Sequence, residues 1–344
     1  MLPFLERSFG DPGRLHTEGR VTRVALENAR ELVASFFGAR PREVVFTSSG
    51  TESVNAALFG ASGHVVTTAV EHSCVRDALA RAADEVTVVG VDDLGRYSVA
   101  DVLAAVRPET TLVSVQLANH EVGTVQAAGE VCAALRDDDV LVHVDACAAA
   151  GHMPVSFAAL GADLLSVSAH KFGGPLGAGA LFVRRGLRVP PLLVGGAQER
   201  ARRGGIENVP AWVGFGAACA AVDVKAEARA AAELISMAAN GCAEVPRVVR
   251  YGDGSLPNVL CIGVDGVEAE PVLLALDQHG VGVHSGSSCS SEMLEPSPVL
   301  AAMGVDADHS LRVSVGWSST RADVERFVEV FPGIVERLRG LRTA

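Results

Sequence analysis

Apolar positions along this chain recur first at one period and then at another. Between residues 21 and 37, Val21, Val24, Ala25, Ala29, Leu32, Val33 and Phe36 fall at helical spacing, and Gly38 makes a suitable stop. Short β-rich runs then take over: Val44-Val45-Phe46, His64-Val65-Val66, Val86-Thr87-Val88-Val89, Thr111-Leu112-Val113-Ser114-Val115 and Val140-Leu141-Val142-His143-Val144. Leu164-Leu165-Ser166-Val167 and Ala180-Leu181-Phe182-Val183 follow, with helical stretches between most of them. Apolar runs alternating with helices predict an α/β fold with a largely parallel sheet covered on both faces. Ligands of such sheets sit at the carboxyl ends of the strands.

The texture changes after residue 220. An alanine-rich helix around Val222 to Ala239 leads to a strand at Val259-Leu260-Cys261-Ile262, a helix near Glu270 to His279, a strand at Leu311–Val315 and a terminal helix. This pattern predicts a smaller α+β domain. The expected division is 11–226 for the large domain, with 1–10 and 227–344 forming the small one. A length of 344 residues agrees, being too great for one comfortable core.

Composition narrows the classes. A net charge of −12 argues against nucleic acid as a direct partner, because phosphate neutralisation needs a basic face. No apolar run approaches the length of a bilayer span, and the opening residues lack a signal-peptide layout, so no membrane association and a cytoplasmic location are expected. The seven cysteines are scattered without a Cys-x-x-Cys pair, which suggests neither a disulfide framework nor a metal site. Most stand in apolar surroundings. Cys289 instead sits in Ser285-Gly286-Ser287-Ser288-Cys289-Ser290-Ser291, which reads as an exposed loop.

The strand ends carry the chemistry. Asp145 closes the run Leu141–Val144, and Lys171 lies in Ser168-Ala169-His170-Lys171-Phe172-Gly173-Gly174. An aspartate and a lysine so placed suit pyridoxal 5′-phosphate (PLP): the carboxylate holds the pyridine nitrogen protonated and the lysine attaches to the aldehyde. Thr47-Ser48-Ser49-Gly50-Thr51-Glu52-Ser53 leaves a strand and opens a helix, which makes either an ordinary N-cap or a phosphate cradle that Ser168 and His170 complete. His72 follows another strand and is read as capping the next helix or as stacking on a cofactor ring. Asn119-His120-Glu121-Val122-Gly123-Thr124 is a turn or a further polar edge. Arg312, between Leu311 and Val313, is a surface ion-pair member or the partner of a substrate carboxylate.

Together these residues resemble the cysteine desulfurases of the class V aminotransferase superfamily, PLP-dependent fold type I, in the branch with a long catalytic-cysteine loop. The matching pieces are Phe-Thr-x-x-x-Thr-Glu-Ser at 46–53, Glu-His at 71–72, His-Val-Asp-Ala at 143–146 and Ser-x-His-Lys at 168–171. Gly-Gly-x-Gln-Glu-Arg at 195–200 and Ser-Gly-Ser-x-Cys with Glu-Pro-Ser at 285–297 complete them. The resemblance implies a large domain with a mostly parallel seven-stranded sheet. It implies that Lys171 carries PLP, Asp145 pairs with the ring nitrogen and His72 stacks on the ring. Gly50, Thr51, Ser168 and His170 would hold the phosphate, His120 would stand near the phenolic oxygen, and Arg312 with Asn119 would bind the substrate. Lys171, His72 and Cys289 would be catalytic: sulfur leaves L-cysteine, L-alanine is released, and a persulfide forms on Cys289. The sulfur would pass to an acceptor or scaffold protein, as in iron–sulfur cluster assembly, and the enzyme would be a homodimer.

Four positions depart from the family's pattern. His120 stands where asparagine is usual and Ala148 where glutamine is usual; the imidazole is expected to replace both contacts. Ile206 stands where a threonine reaches the neighbouring subunit's phosphate, and it has no hydroxyl to do so. The family's opening segment does not appear in this sequence, so either the start codon is misplaced or the site is unusually open on that side, with weaker PLP retention expected in the latter case. The alternatives are a selenocysteine lyase, another PLP aminotransferase or lyase on the same fold, or a degenerate non-catalytic partner protein.

Overall fold

The computed structural model describes residues 1–285 and 296–342. They divide into two compact units. The first comprises Met1–Val89, Val99–Leu117 and Ala127–Asp223; the second comprises Gly90–Ser98, Ala118–Gln126 and the chain from Val224 onward. The continuous part of the second unit starts at Val224, and two placements differ from the expected division. Residues 1–10 pack with the first unit, where a side chain at Gly214 would collide with Met1 Sδ at 2.7 Å. The second unit also gathers two loops from within the first 226 residues, fixed to it by Arg96–Asp253 at 2.8 Å and by Val259 against Gly123.

The first unit is built on a seven-stranded sheet: β1 (Val44–Thr47), β2 (His64–Thr68), β3 (Glu85–Val89), β4 (Thr110–Gln116), β5 (Leu141–Asp145), β6 (Leu164–Ser168) and β7 (Gly179–Val183), in the order β1-β7-β6-β5-β4-β2-β3. β7 runs antiparallel to both its neighbours and every other pairing is parallel. Strands β1, β2, β6 and β7 are buried throughout, because helices cover both faces, and such strands read as continuous apolar runs. Only the edge strand β3 exposes side chains along its length.

Two buried histidines inside the sheet are paired across strands. His143 is fully buried on β5 and bridges Ser114 Oγ on β4 and Ser166 Oγ on β6, each at 2.9 Å. Burial drives its pKa down to about 4 against the opposing pull of Asp145, so the ring is neutral. His64 makes the same kind of bridge between Thr110 and Thr87 at 2.7 and 2.8 Å.

The helix Thr17–Phe36 packs on the helix Val209–Ala221 closely enough that a side chain at Gly216 would meet the Ala29 backbone at 2.8 Å. It ends at Gly38, whose φ of 59° is the left-handed stop expected of glycine there. The second unit holds an antiparallel sheet of β8 (Val248–Tyr251), β9 (Val259–Val264), β10 (His284–Ser285) and β11 (Ser310–Ser314), in the order β10-β11-β9-β8. The helices Val224–Ala243, Ala269–Asp277 and Arg321–Arg342 supply the rest of its core. No single helix among the described residues is long and apolar enough to cross a membrane.

Candidate active site

In the first unit, the strand topology collects chemistry at one edge of the sheet. β1 runs out at Thr47, β2 at Thr68, β4 at Gln116, β5 at Asp145 and β6 at Ser168, and the antiparallel β7 begins there at Gly179. Asp145 is 7 % exposed, and its Oδ1 accepts the Cys147 N–H at 2.9 Å. Its backbone carbonyl accepts from Leu117 N at 2.8 Å, so the carboxylate is set by the strand on both sides.

Lys171 sits in a single turn of 3-10 helix, Ala169–Phe172, that follows β6 directly. Ala169 and Phe172 are buried, and the Phe172 ring stacks on Phe36 at 5.5 Å, so the turn is pinned from within while Lys171 faces outward. Gly173, at φ 85°, lets the chain reverse, and Gly174 N donates to Ala169 O at 3.0 Å. The buried His152 adds a brace that the sequence did not flag: its Nε2 lies 2.9 Å from the Lys171 carbonyl. A carbonyl only accepts, so Nε2 carries the proton.

Beside the lysine, Ser168 Oγ and His170 Nδ1 share a hydrogen bond at 2.9 Å. Partial burial and the Lys171 charge hold the His170 pKa below its ordinary value. Across β7 and β1, Ser49 caps the helix Gly50–Leu58, its hydroxyl accepting from Glu52 N at 3.1 Å, and Glu52 reaches back to Ser48 N at 2.8 Å. This is a variant of the capping box, for which Ser49 followed by Glu52 was the available signal. The N–H groups of Gly50 and Thr51 lie in the first turn, beyond reach of any intrahelical carbonyl. A Cβ on Gly50 would lie 2.5 Å from Cys147 Sγ and 3.3 Å from Ser168 Cβ, so only glycine leaves this turn open against the ends of β5 and β6.

His72 caps the helix Ser73–Ala82 through Nδ1, which accepts from Cys74 N at 3.1 Å. The capping reading of this histidine is therefore realised. It also fixes the ring, because Nδ1 acts as an acceptor and the neutral imidazole carries its proton on Nε2. The preceding Glu71 is fully buried and accepts from Thr68 Oγ1 at 2.6 Å and Gln116 N at 3.0 Å, tying the ends of β2 and β4 together.

The second unit holds the remaining described candidates. Asn119 Oδ1 accepts the Glu121 and Val122 N–H groups at 2.8 and 2.9 Å, shaping its own loop as the turn reading foresaw. His120 Nε2 lies 3.4 Å from Glu121 Oε1, and Ser297 Oγ donates to Glu121 Oε2 at 2.5 Å. Arg312 on β11 donates from Nη1 to the His120 carbonyl at 3.2 Å, so the loop and the strand are joined. Cys289 lies outside the described residues. Among the described cysteines, burial pushes Cys132, Cys242 and Cys261 up to about 12 and Cys147 well above the ordinary thiol, so none of these four is set up as a thiolate.

The first-unit set fits PLP. It offers an open helix start for a phosphate, a buried carboxylate at a strand end for the ring nitrogen, and a fixed turn presenting an amine between them. The aminotransferase class-V family model matches residues 1–327. The cysteine desulfurase IscS of Methanosarcina thermophila is 38% identical over 358 residues, covering 99% of this chain and 89% of that protein. Among solved structures, a NifS-like protein superimposes with a TM-score of 0.91 at 31% identity, covering 98% of this chain and 94% of the other. SspA, solved in complex with cysteine, superimposes with a TM-score of 0.81 at 29% identity, covering 91% and 92%. The sheet order, the strand-end residues and these matches over nearly the full length make the chain a member of the class-V aminotransferase family, of PLP-dependent fold type I.

Proposed function

We propose that the protein is a PLP-dependent cysteine desulfurase that takes sulfur from L-cysteine, releases L-alanine and holds the sulfur as a persulfide on Cys289. The observation that carries this reading is the collection of Lys171, Asp145, His72, Ser168, His170, Gly50 and Thr51 at the carboxyl ends of the strands of one sheet. When bound, PLP supplies an electron sink for the bonds broken at the substrate's Cα and Cβ.

The chain's own groups have separate tasks. The buried Asp145 carboxylate keeps a proton on the ring nitrogen. The Gly50 and Thr51 N–H groups, with Ser168 and His170, receive the phosphate. Lys171, its backbone kept in place by His152 and Phe172, would hold the aldehyde, and its amine is the group that would move the Cα proton. His72 would stand beside the ring as an acid–base group. Arg312 pairs with the substrate carboxylate, and Asn119 and His120 order the loop that Arg312 binds.

Cys289 attacks as a thiolate. A free thiol has a pKa of about 8.5, so a neighbouring acid–base group must take its proton. The new S–S bond forms as the substrate Cβ–S bond breaks. L-cysteine and Cys289–SH become L-alanine and Cys289–S–SH, with no outside oxidant or reductant. The terminal sulfur then passes to an acceptor or scaffold protein of the kind that serves iron–sulfur cluster assembly. A homodimer in the cytoplasm is the proposed setting. Exposed apolar side chains at Met1, Leu2, Leu5, Phe9 and Leu15 favour self-association of the first unit.

Borohydride reduction of the PLP-loaded protein followed by peptide mass analysis tests the reading. The expected adduct is on Lys171, and the Lys171→Ala variant should lack it. An adduct on another lysine, or none, would overturn the assignment.

A further inference from the structure

One short segment of the first unit is tied to the helix start at Gly50 by the ion pair Arg203–Glu52 and to the helix Thr17–Phe36 by Glu199–Arg30. Glu199, Arg200 and Ala201 take left-handed backbone angles, with φ of 48°, 59° and 61°. Side chains avoid this region, and a run of three persists only where its surroundings over-determine it. Here the anchor is Glu199, which accepts from Arg30 Nη1 and Nη2 at 2.7 and 2.6 Å and from Phe46 N at 2.9 Å. The chain then folds back over β1. Arg202 Nη2 donates to Val44 O at 3.0 Å, and Arg203 Nε donates to Glu52 Oε1 at 2.9 Å. Trp212 backs the Arg203 guanidinium at 5.9 Å and donates from its indole N–H to Thr47 O at 3.0 Å.

Glu52 creates an electrostatic conflict that this arrangement resolves. An acidic side chain in a first helical turn suits the helix dipole, and this one also holds Ser48 N. The same turn is where the phosphate of PLP is to be received. A lone, poorly screened carboxylate in the same turn as a phosphate dianion would lower affinity on the order of 30-fold, or about 2 kcal/mol. Glu52 is only 11% exposed, so water alone screens it poorly. Burial opposes its ionisation, yet the hydrogen bonds from Arg203 and Ser48 prevail and hold its pKa below the ordinary value. The carboxylate is therefore charged and needs a counter-ion.

We propose that Arg203 is a positioning residue for cofactor binding: by pairing with Glu52 it cancels the negative charge that would otherwise stand in the phosphate-receiving turn. The proposal rests on the reading that the turn at Gly50 takes the phosphate. The run at 199–201 then has a purpose, since it delivers Arg203 to Glu52 while Glu199 locks the same segment to Arg30 and β1.

The test is titration of cofactor-free protein with PLP, followed by visible absorbance, for wild type, R203M, E52Q, R203M/E52Q and R203K. Pyridoxal serves as the phosphate-free probe. R203M should weaken PLP about 30-fold and change pyridoxal affinity less than about threefold. R203K keeps the charge but not the two-pronged, Trp212-backed contact, and should fall between wild type and R203M. E52Q should bind PLP as well as wild type or better, and R203M/E52Q should return to within about threefold, because removing the carboxylate removes the need for its partner. A double variant as weak as R203M, or an equal loss for pyridoxal, would show that Arg203 acts only through the fold and would overturn the proposal alone. Equal affinity of wild type for PLP and pyridoxal would overturn the phosphate reading and the proposal together.

Discussion

Replacing Glu199 with alanine strands Arg30, one of the largest fully buried side chains in the first unit. The Arg30 guanidinium is 2% exposed and gives Glu199 its two shortest hydrogen bonds, at 2.6 and 2.7 Å. Removing one member of a buried pair costs about 3–5 kcal/mol, and losing the acceptor of Phe46 N adds about 1 kcal/mol or more. Two effects offset this. Arg30 keeps the half-exposed Glu27 at 3.2 Å and the Val44 carbonyl at 3.2 Å, and release of the left-handed angle at Glu199 returns about 1 kcal/mol. A net loss of about 3 kcal/mol follows, which for a unit of this size lowers Tm by about 6–12 °C. Urea unfolding of the cofactor-free protein should show a lower midpoint at unchanged slope. The R30M/E199M double variant should cost less than E199A, because no charge is left behind. A loss below about 1 kcal/mol in E199A, or a double variant worse than the single one, would refute the clamp.

Gly50→Ala should lower PLP affinity about tenfold, because the new Cβ collides with Cys147 Sγ at 2.5 Å, and adding Cys147→Ala should restore most of it; unchanged PLP content in G50A would contradict the packing argument. His143 supplies a pH dependence. Its folded pKa of about 4 lies below the unfolded value of 6.5, so between these values the unfolded chain binds a proton that the folded chain refuses. Stability should therefore be full above pH 6.5 and fall by about 3 kcal/mol as the pH drops toward 4, with His170 contributing in the same direction. His143→Gln should flatten that decline in urea unfolding measured across the window; an unaltered slope would remove the assignment.

The sheet of the first unit was legible because its strands are buried on both faces, and burial on both faces writes continuous apolar runs such as Leu164–Val167. β8 was not, because its ends are half-buried and its middle residues exposed, leaving Arg250 inside a strand without alternation. The membership of Gly90–Ser98 and Ala118–Gln126 in the second unit was hidden for a different reason. It rests on pairings such as Arg96–Asp253, 157 residues apart, and no local pattern encodes those. The candidate site divides in the same way. Lys171, Asp145, Ser168 and Gly50 stand out because strand ends in an α/β fold collect function. Their supports do not: Arg30–Glu199 and Arg203–Glu52 join residues 169 and 151 positions apart, and His152 reads in the sequence as any buried histidine. His72 was open to two readings because an imidazole that follows a strand serves equally as a helix cap and as an acid–base group.

The most direct test of the account is alanine and sulfide release from L-cysteine, with PLP and a reductant present, for wild type and for Cys289→Ala. The account predicts equal amounts of alanine and sulfide from wild type. It predicts loss of both in the variant, with the visible absorbance of bound PLP retained. Sulfide release that persists in Cys289→Ala, or bound PLP in wild type without any alanine from cysteine, would contradict it.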